Sequence, residues 1–267
     1  MRRHVTALAV ALASIFGARV GAQEARPIQD NSFLVEEAYN QEPGVVQHIS
    51  TLQRSPSSWS YSFTQEWPVG GIRNQLSYSI PVSGAAGSTG FGDIALNYRR
   101  QVVGTGETRL AVAPRFTVLL PTGSVASGRG AGGVGVQVLL PASYSISRAL
   151  VSHWNLGATI TPRAHAQGAG SVATTSVNAG ASLIWLARPW MNLMLEGIWS
   201  RAESAVAAGL TRTETSWFVS PGVRWAINSP GGLQVVPGIA YMIGLGPSGG
   251  EGALFAYLSF EHAFRSH

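Results

Sequence analysis

Apolar and polar residues alternate with a period of two along most of this chain. The rings of Trp59, Tyr61 and Phe63 are interleaved with Ser60, Ser62 and Thr64. Val134, Val136, Val138 and Leu140 repeat the pattern, as do Leu233, Val235, Pro237, Ile239 and Tyr241. Period two puts each set on one face of a strand. A face in water would not carry Trp, Tyr, Val and Leu on segment after segment, whereas a closed barrel in lipid needs an apolar outside and accepts a wet inside. The alternation therefore predicts an all-β fold, a single antiparallel transmembrane β-barrel of about 12 strands over residues 45–264.

The predicted strands run at about 45–53, 58–68, 74–83, 90–102, 108–121, 132–147, 150–164, 172–186, 190–201, 212–227, 232–244 and 252–264. Their connections alternate in length. Those at 69–73, 103–107, 147–150, 187–189 and 228–231 are tight, while those at 84–89, 123–131, 165–171, 202–211 and 245–251 are longer and rich in small residues. Short periplasmic turns and longer outer loops are usual in such barrels, and an even strand number returns both ends to the periplasm. The connection at 54–57 is short where an outer loop is expected, which puts the first strand in question, and a barrel of 10 strands is the fallback. Pro114, Pro221 and Pro237 each remove a ladder donor, and bulges or weak pairing are expected there.

Parity assigns the faces. Val112, Phe116, Val136, Val138, Leu193, Leu195, Val223 and Ile239 should meet lipid, and Glu66, Asp93, Asn97, Arg99, Arg109, Arg115, His153, Asn155, Arg163, Glu196, Glu214, Arg224 and Glu261 should line the lumen. Their neighbours are mostly Ser, Thr, Ala and Gly, which predicts a roomy bore. Arg99, Arg115, Glu66, Glu196, Glu214 and Arg224 are the candidates for a selectivity constriction, or for a static lumenal ion-pair network. Trp67, Trp154, Trp185, Trp190 and Trp225 fall by the short turns, and Trp59, Trp199 and Trp217 toward the opposite rim, as two interfacial aromatic girdles would.

The ends carry separate information. Met1-Arg2-Arg3-His4 precedes an apolar run, Val5 to Phe16, that is too short for a membrane span, and Val20-Gly21-Ala22 has the form of a cleavage site. Residues 1–22 therefore read as a cleaved signal peptide. Residues 23–44 form an acidic prelude, with Glu24, Asp30, Glu36, Glu37 and Glu42 against Arg26 alone. It reads either as a disordered periplasmic tail or as a plug reaching into the pore, and Ser32 to Gln41 has room for a short helix stopped by Pro43-Gly44. The last strand places Leu254, Ala256, Leu258, Phe260, His262 and Phe264 on the outward face, and residues 265–267 extend past it. Phe260 and Phe264 resemble the terminal aromatic signal read by the barrel-assembly machinery.

Composition changes this picture little. The formal charge is +5, but loss of Arg2, Arg3 and Arg19 with the signal leaves 15 of the 18 basic residues against 13 acidic ones. Nucleic-acid binding gains no support from that balance. Without cysteine there are no disulfides or thiolate metal sites, and the histidines show no ligand spacing, so neither metal nor cofactor is expected. Enzyme chemistry is not expected either. His153 and Asn155 would suit a membrane-embedded hydrolase, but no serine of the same segment shares their parity, and Asp30 and Asp93 are the only aspartates.

One ordered set of motifs adds to this reading. Gly90-Phe91-Gly92-Asp93-Ile94-Ala95-Leu96-Asn97-Tyr98-Arg99 is followed by Pro114 through Leu120-Pro121-Thr122-Gly123, then a Gly-rich loop, then Ser143-Tyr144-Ser145-Ile146-Ser147. Their order and spacing over roughly residues 58–264 resemble the outer-membrane barrel family named for the MetA pathway of phenol degradation. The resemblance implies a transporter-like outer-membrane protein, encoded in some members beside enzymes of aromatic degradation. It assigns structural roles to Gly90, Gly92, Asp93, Pro121, Thr122 and Gly123. Asp93 would bond local backbone at a strand start, and Pro121-Thr122-Gly123 would bend the chain into the outer loop.

Two functions follow: a passive channel for small, aromatic or apolar solutes, and a structural or interaction barrel with a blocked lumen. Both have outer-membrane lipid as their surroundings. An open water path would favour the channel, and a prelude packed inside with Arg and Glu closing the bore would favour the blocked barrel.

Overall fold

The structure, a computed structural model, describes residues 27–166, 170–229 and 233–263. They form a closed antiparallel β-barrel of 12 strands. The first strands are β1 (Val45–Arg54), β2 (Ser58–Pro68), β3 (Asn74–Ala85), β4 (Ser88–Phe91) and β5 (Ile94–Arg100). Next come β6 (Leu110–Val112), β7 (Arg115–Leu120), β8 (Gly135–Ser147), β9 (Leu150–His165) and β10 (Ser171–Arg188). The last are β11 (Met191–Ala207), β12 (Leu210–Trp225), β13 (Ile227–Asn228), β14 (Gln234–Gly244) and β15 (Gly252–Ala263). β4 with β5, β6 with β7, and β12 with β13 are each one barrel strand in two pieces, which reconciles the segments with the strand number.

Closure depends on β1. It pairs with β15 from Val45 opposite Ala263 to Arg54 opposite Leu254, and with β2 on its other edge. The fallback of 10 strands is thereby overturned: β1 is one half of the seam, and without it β15 and β2 would both be open edges, which lipid does not tolerate.

Proline explains the broken strands. Pro114 lies between β6 and β7, and Pro141 faces the same gap from β8. Pro81 sits where β3 changes partner from β5 to β4, Pro162 at the register shift between β9 and β10, and Pro221 where the β12–β14 ladder is interrupted. Pro237 lies just beyond the end of that ladder. Each occupies a place where no ladder donor is required of it.

Two outer connections differ from the sequence expectation. Residues 84–89 form a hairpin turned at Ala86-Gly87, with β4 folded back on β3. Residues 202–211 are mostly strand, β11 and β12 continuing to a turn at Ala208-Gly209. With 16 to 18 residues each, β9 to β12 exceed the roughly 9–11 that cross a bilayer, so their loop ends stand above it.

The faces are the reverse of a water-soluble protein. Leu96, Phe116, Val138, Leu140, Leu156, Leu195, Ile239 and Leu258 are exposed on the outside, while Gln47, Gln75, Asn97, Thr117, His153, Asn192, Glu196 and Arg224 are buried. Such an exterior belongs in hydrocarbon. All eight tryptophans are exposed or half-buried, with Trp199 directly opposite Trp217 on the neighbouring strand. Leu195 is 53% exposed and lies between the level of Trp190 and that of Trp199. Its replacement by Arg should cost about 2–4 kcal/mol of stability in lipid, whereas Leu195→Ile should cost little. Equilibrium unfolding in vesicles measures both.

Candidate functional site: a lumen occupied by the N-terminal segment

The prelude enters the barrel. At its start the Ile28 N–H donates to the Pro189 carbonyl in the β10–β11 turn, and near its end the Asn40 side-chain amide donates to the Ile72 carbonyl in the β2–β3 turn. Both contacts lie at the short-turn end, so the segment rises into the bore and returns. The helix expected over Ser32–Gln41 does not form. The reason is visible in the hydrogen bonds, because the amides that a helix would bond internally are bonded to the wall.

Glu196 is the main anchor. Its Oε1 accepts the N–H groups of Phe33, Leu34 and Val35 at 3.2, 2.8 and 3.0 Å. Asn155 makes a reciprocal pair with Glu36, accepting its N–H at 2.7 Å and donating to its carbonyl at 2.8 Å. The Ala38 N–H donates to Ser143 Oγ and the Gln41 N–H to Gln75 Oε1, both at 2.7 Å. On the rising limb, Arg224 donates to the Asn31 carbonyl at 2.5 Å and Asn192 to the Gln29 carbonyl at 2.8 Å. Tyr39 donates its hydroxyl to Asp30 and so ties the two limbs together. Burial, reinforced by the Asp30 carboxylate, raises the Tyr39 phenol above its ordinary pKa, which keeps that donor protonated.

Apolar seats complete the fit. A Cβ on Gly238 would stand 2.5 Å from the Phe33 ring, one on Gly222 would stand 2.7 Å from it, and one on Gly180 would meet Val35 at 3.0 Å. The small lumenal residues that promised a wide bore are thus hollows for this segment. Phe33 also packs at 5.5 and 5.2 Å, centre to centre, from the rings of Phe255 and Tyr257.

Arg99 and Arg115 are direct partners across β5 and β7. Two like charges so placed repel, and the prelude neutralises them. Arg99, only 4% exposed, donates to Asn40 Oδ1 and to the carbonyls of Glu37 and Tyr39. It also lies 3.8 Å from Glu36, 3.9 Å from Glu37 and 3.9 Å from Glu66. Arg115 pairs with Glu36 and donates to Gln137 at 2.8 Å. Burial raises the pKa of the Glu37 carboxyl above its ordinary value, against the opposing pull of Arg99.

Of the six candidates for a constriction or ion-pair network, Arg99, Arg115, Glu66, Glu196 and Arg224 meet around this segment. Glu214 does not. It is 67% exposed and paired with Arg212 at 3.2 Å, on the part of β12 that rises above the bilayer level. Parity gave it the right face but not the height.

Sequence spacing also missed Ser143. Its Oγ lies 2.7 Å from His153 Nδ1, and His153 Nε2 is 2.9 Å from the Asp30 carbonyl. The hydroxyl already accepts the Ala38 N–H and His153 is fully buried. The pair latches the segment to the wall, with both of its outer sides taken.

On the loop side of the segment, three cavities follow the β1–β3 wall. The outermost, about 630 Å³, is lined by Gln53, Trp59, Ser60, Ser83 and Arg129. It shares Gln53 and Ser60 with one of about 340 Å³ that reaches Thr51, Phe33, Leu34 and Phe255. That one shares Thr51, Phe33 and Leu34 with an inner space of about 190 Å³ bounded by Glu36, Arg99, Arg115 and Tyr257.

The motif residues form a clasp over this mouth. Asp93 does not bond local backbone as expected. Its two oxygens accept the N–H groups of Gly123 and Ala131, each at 2.8 Å, at opposite ends of the loop between β7 and β8. Thr122 Oγ1 donates to the Gly92 carbonyl and accepts the Ile94 N–H. Glycine is required at Gly123 and Gly130, where a Cβ would lie 2.4 Å from the Arg129 carbonyl oxygen and 2.5 Å from Asp93 Oδ1. Phe260 lies on the outer face against His48, and Phe264 and residues 1–22 fall outside the described residues.

No protein-family model matches the sequence, and no curated protein is similar to it. Among solved structures, an outer membrane channel from Pseudomonas putida F1 is similar with a TM-score of 0.64 at 11% identity, over 85% of this chain and 98% of that one. The NanC porin is similar with a TM-score of 0.53 at 5% identity, over 83% of this chain and all of the porin. Identities this low establish the shared barrel fold.

The clasp generates a test of the loop. Asp93→Ala removes two bonds to a carboxylate, each contributing about 1.5–3 kcal/mol, and should make residues 124–130 sensitive to protease while the barrel stays folded. Limited proteolysis with mass spectrometry measures this, with Asp93→Asn expected to be intermediate.

Proposed function

We propose that this protein is an outer-membrane channel for small solutes whose resting state is closed by its own N-terminal segment. The observation that carries the reading is the series of three neighbouring cavities, each sharing lining residues with the next, from the loop end to the segment. Their walls mix the Phe33 and Phe255 rings with Thr51, Gln53 and Ser60, which suits small amphipathic molecules, neutral or anionic. The segment itself adds no strand to the barrel and is held mainly by side-chain hydrogen bonds, ion pairs and packed rings, with one backbone bond to the wall at Ile28. A signal peptide over residues 1–22, insertion by the barrel-assembly machinery through the last strand, and lipid contact at the tryptophan girdles complete this proposal. Two of the motifs that carry the resemblance to the MetA-pathway family, Gly90 to Asp93 and Pro121-Thr122-Gly123, meet in one clasp.

A second reading has a specific observation behind it. The prelude is packed inside with Arg99, Arg115, Glu36, Glu37 and Glu66 closing the bore, which is the arrangement expected of a blocked structural barrel. Conductance separates the two. In a planar bilayer the full chain should pass little current, and deletion of residues 27–42 should raise it at least about tenfold by emptying the lumen. Gly238→Val, which displaces the Phe33 ring, should give a smaller and flickering increase. A deletion variant that folds and stays silent would leave the blocked barrel as the function.

Charge selectivity follows from the same geometry. Glu36 and Glu37 leave with the segment, so Arg99 and Arg115 would then face the bore with Glu66 alone nearby. Cationic walls in a narrow pore concentrate anions. The deletion variant should therefore show an anion-leaning reversal potential under a salt gradient, and Arg99→Ala with Arg115→Ala in that background should abolish the lean.

A further inference from the structure

His48 and His262 lie 214 residues apart in sequence, and their Nε2 atoms face each other at 3.1 Å on the outside of the barrel. They sit on β1 and β15, the two strands whose pairing closes the barrel. His48 is directly opposite Phe260 and diagonal to His262. Its ring stacks on both, at 4.6 Å from Phe260 and 5.2 Å from His262, with Phe63 at 6.0 Å. The next strand places Gln65 beside His48, its Oε1 accepting the Tyr78 hydroxyl. The pair therefore stands near the short-turn end, among aromatic residues that include Trp67.

We propose that this pair is a binding site for a borderline divalent transition ion, Cu²⁺, Ni²⁺ or Zn²⁺, which clips the first strand to the last. Imidazole is the ligand these ions favour, and metal–nitrogen bonds of about 2.0–2.1 Å at an angle near ~100° place two ligand nitrogens about as far apart as these. The two nitrogens share one N–H in the metal-free pair. For both to ligate, the donor ring carries its proton on Nδ1 instead, and each ring turns about its terminal torsion, which is soft for histidine. No net proton is released from the neutral pair. Water or lipid oxygens complete the ion's coordination on the open side. Because the ligands come from opposite ends of the chain, the closed barrel presents the site and the unfolded chain does not. Binding then stabilises closure by mass action.

The test uses the full chain, without a histidine tag, folded in detergent micelles and titrated with Cu²⁺. One ion per chain should bind with a spin-resonance signal of two imidazole nitrogens, and the heat-unfolding midpoint should rise and fall back on addition of chelator. His48→Phe keeps the stacking and removes the ligand. That variant and His262→Ala should each lose the two-nitrogen signal and the shift, and His165→Ala should keep both. A wild-type signal with one nitrogen, no uptake, or a shift that survives in the His48→Phe, His262→Ala double variant would overturn the proposal.

Discussion

Irregular backbone can lie at the depth of a bilayer only if something other than lipid answers its amides and carbonyls. Much of the structure follows from that constraint. The strands meet it by closing through β1 and β15. The N-terminal segment meets it with wall side chains: Glu196 answers three successive N–H groups, Asn155 both groups of Glu36, and Arg99 two carbonyls. The polar residues of the lumen are therefore partners chosen for one particular stretch of chain.

Charge obeys the same logic. Opposed arginines on β5 and β7 would strain a bare sheet, and an acidic segment inserted between them relieves the repulsion. Each part is unfavourable alone. An acidic stretch in a narrow bore needs cations, and buried guanidinium groups need acceptors. The arrangement couples occupancy of the lumen to its electrostatic character, so a change in one alters the other.

Glycine and proline mark where regular pairing gives way. Gly222 and Gly238 leave space for the Phe33 ring, and Gly123 and Gly130 let two stretches of loop backbone meet beneath Asp93. The prolines stand at breaks and ends in the ladder, where the missing N–H leaves nothing unsatisfied. The result is a barrel whose wall is regular where it meets lipid and irregular where it meets its own loops and N-terminal segment.

Strand number and the lipid-facing set were legible in the sequence, because alternation is local: each residue's face follows from its neighbours two places away, whereas the strand limits at 84–89 and 202–211 were not. Leu195 and Glu196 show this, the first outside and the second inside as parity requires. Height was less legible, and Glu214 lies on the correct face but too far up a long strand. The partners of the N-terminal segment were not legible at all. Val35 and Glu196 are 161 residues apart, Ala38 and Ser143 are 105 apart, and Asp93 bonds amides 30 and 38 residues away. No local pattern encodes such distances, and the histidines of β1 and β15 become neighbours only when the barrel shuts. The sequence by itself determined a barrel with an apolar outside, since lipid reads each strand separately. Only the tertiary structure decided what fills it, since that depends on which side chains closure brings around the same piece of backbone.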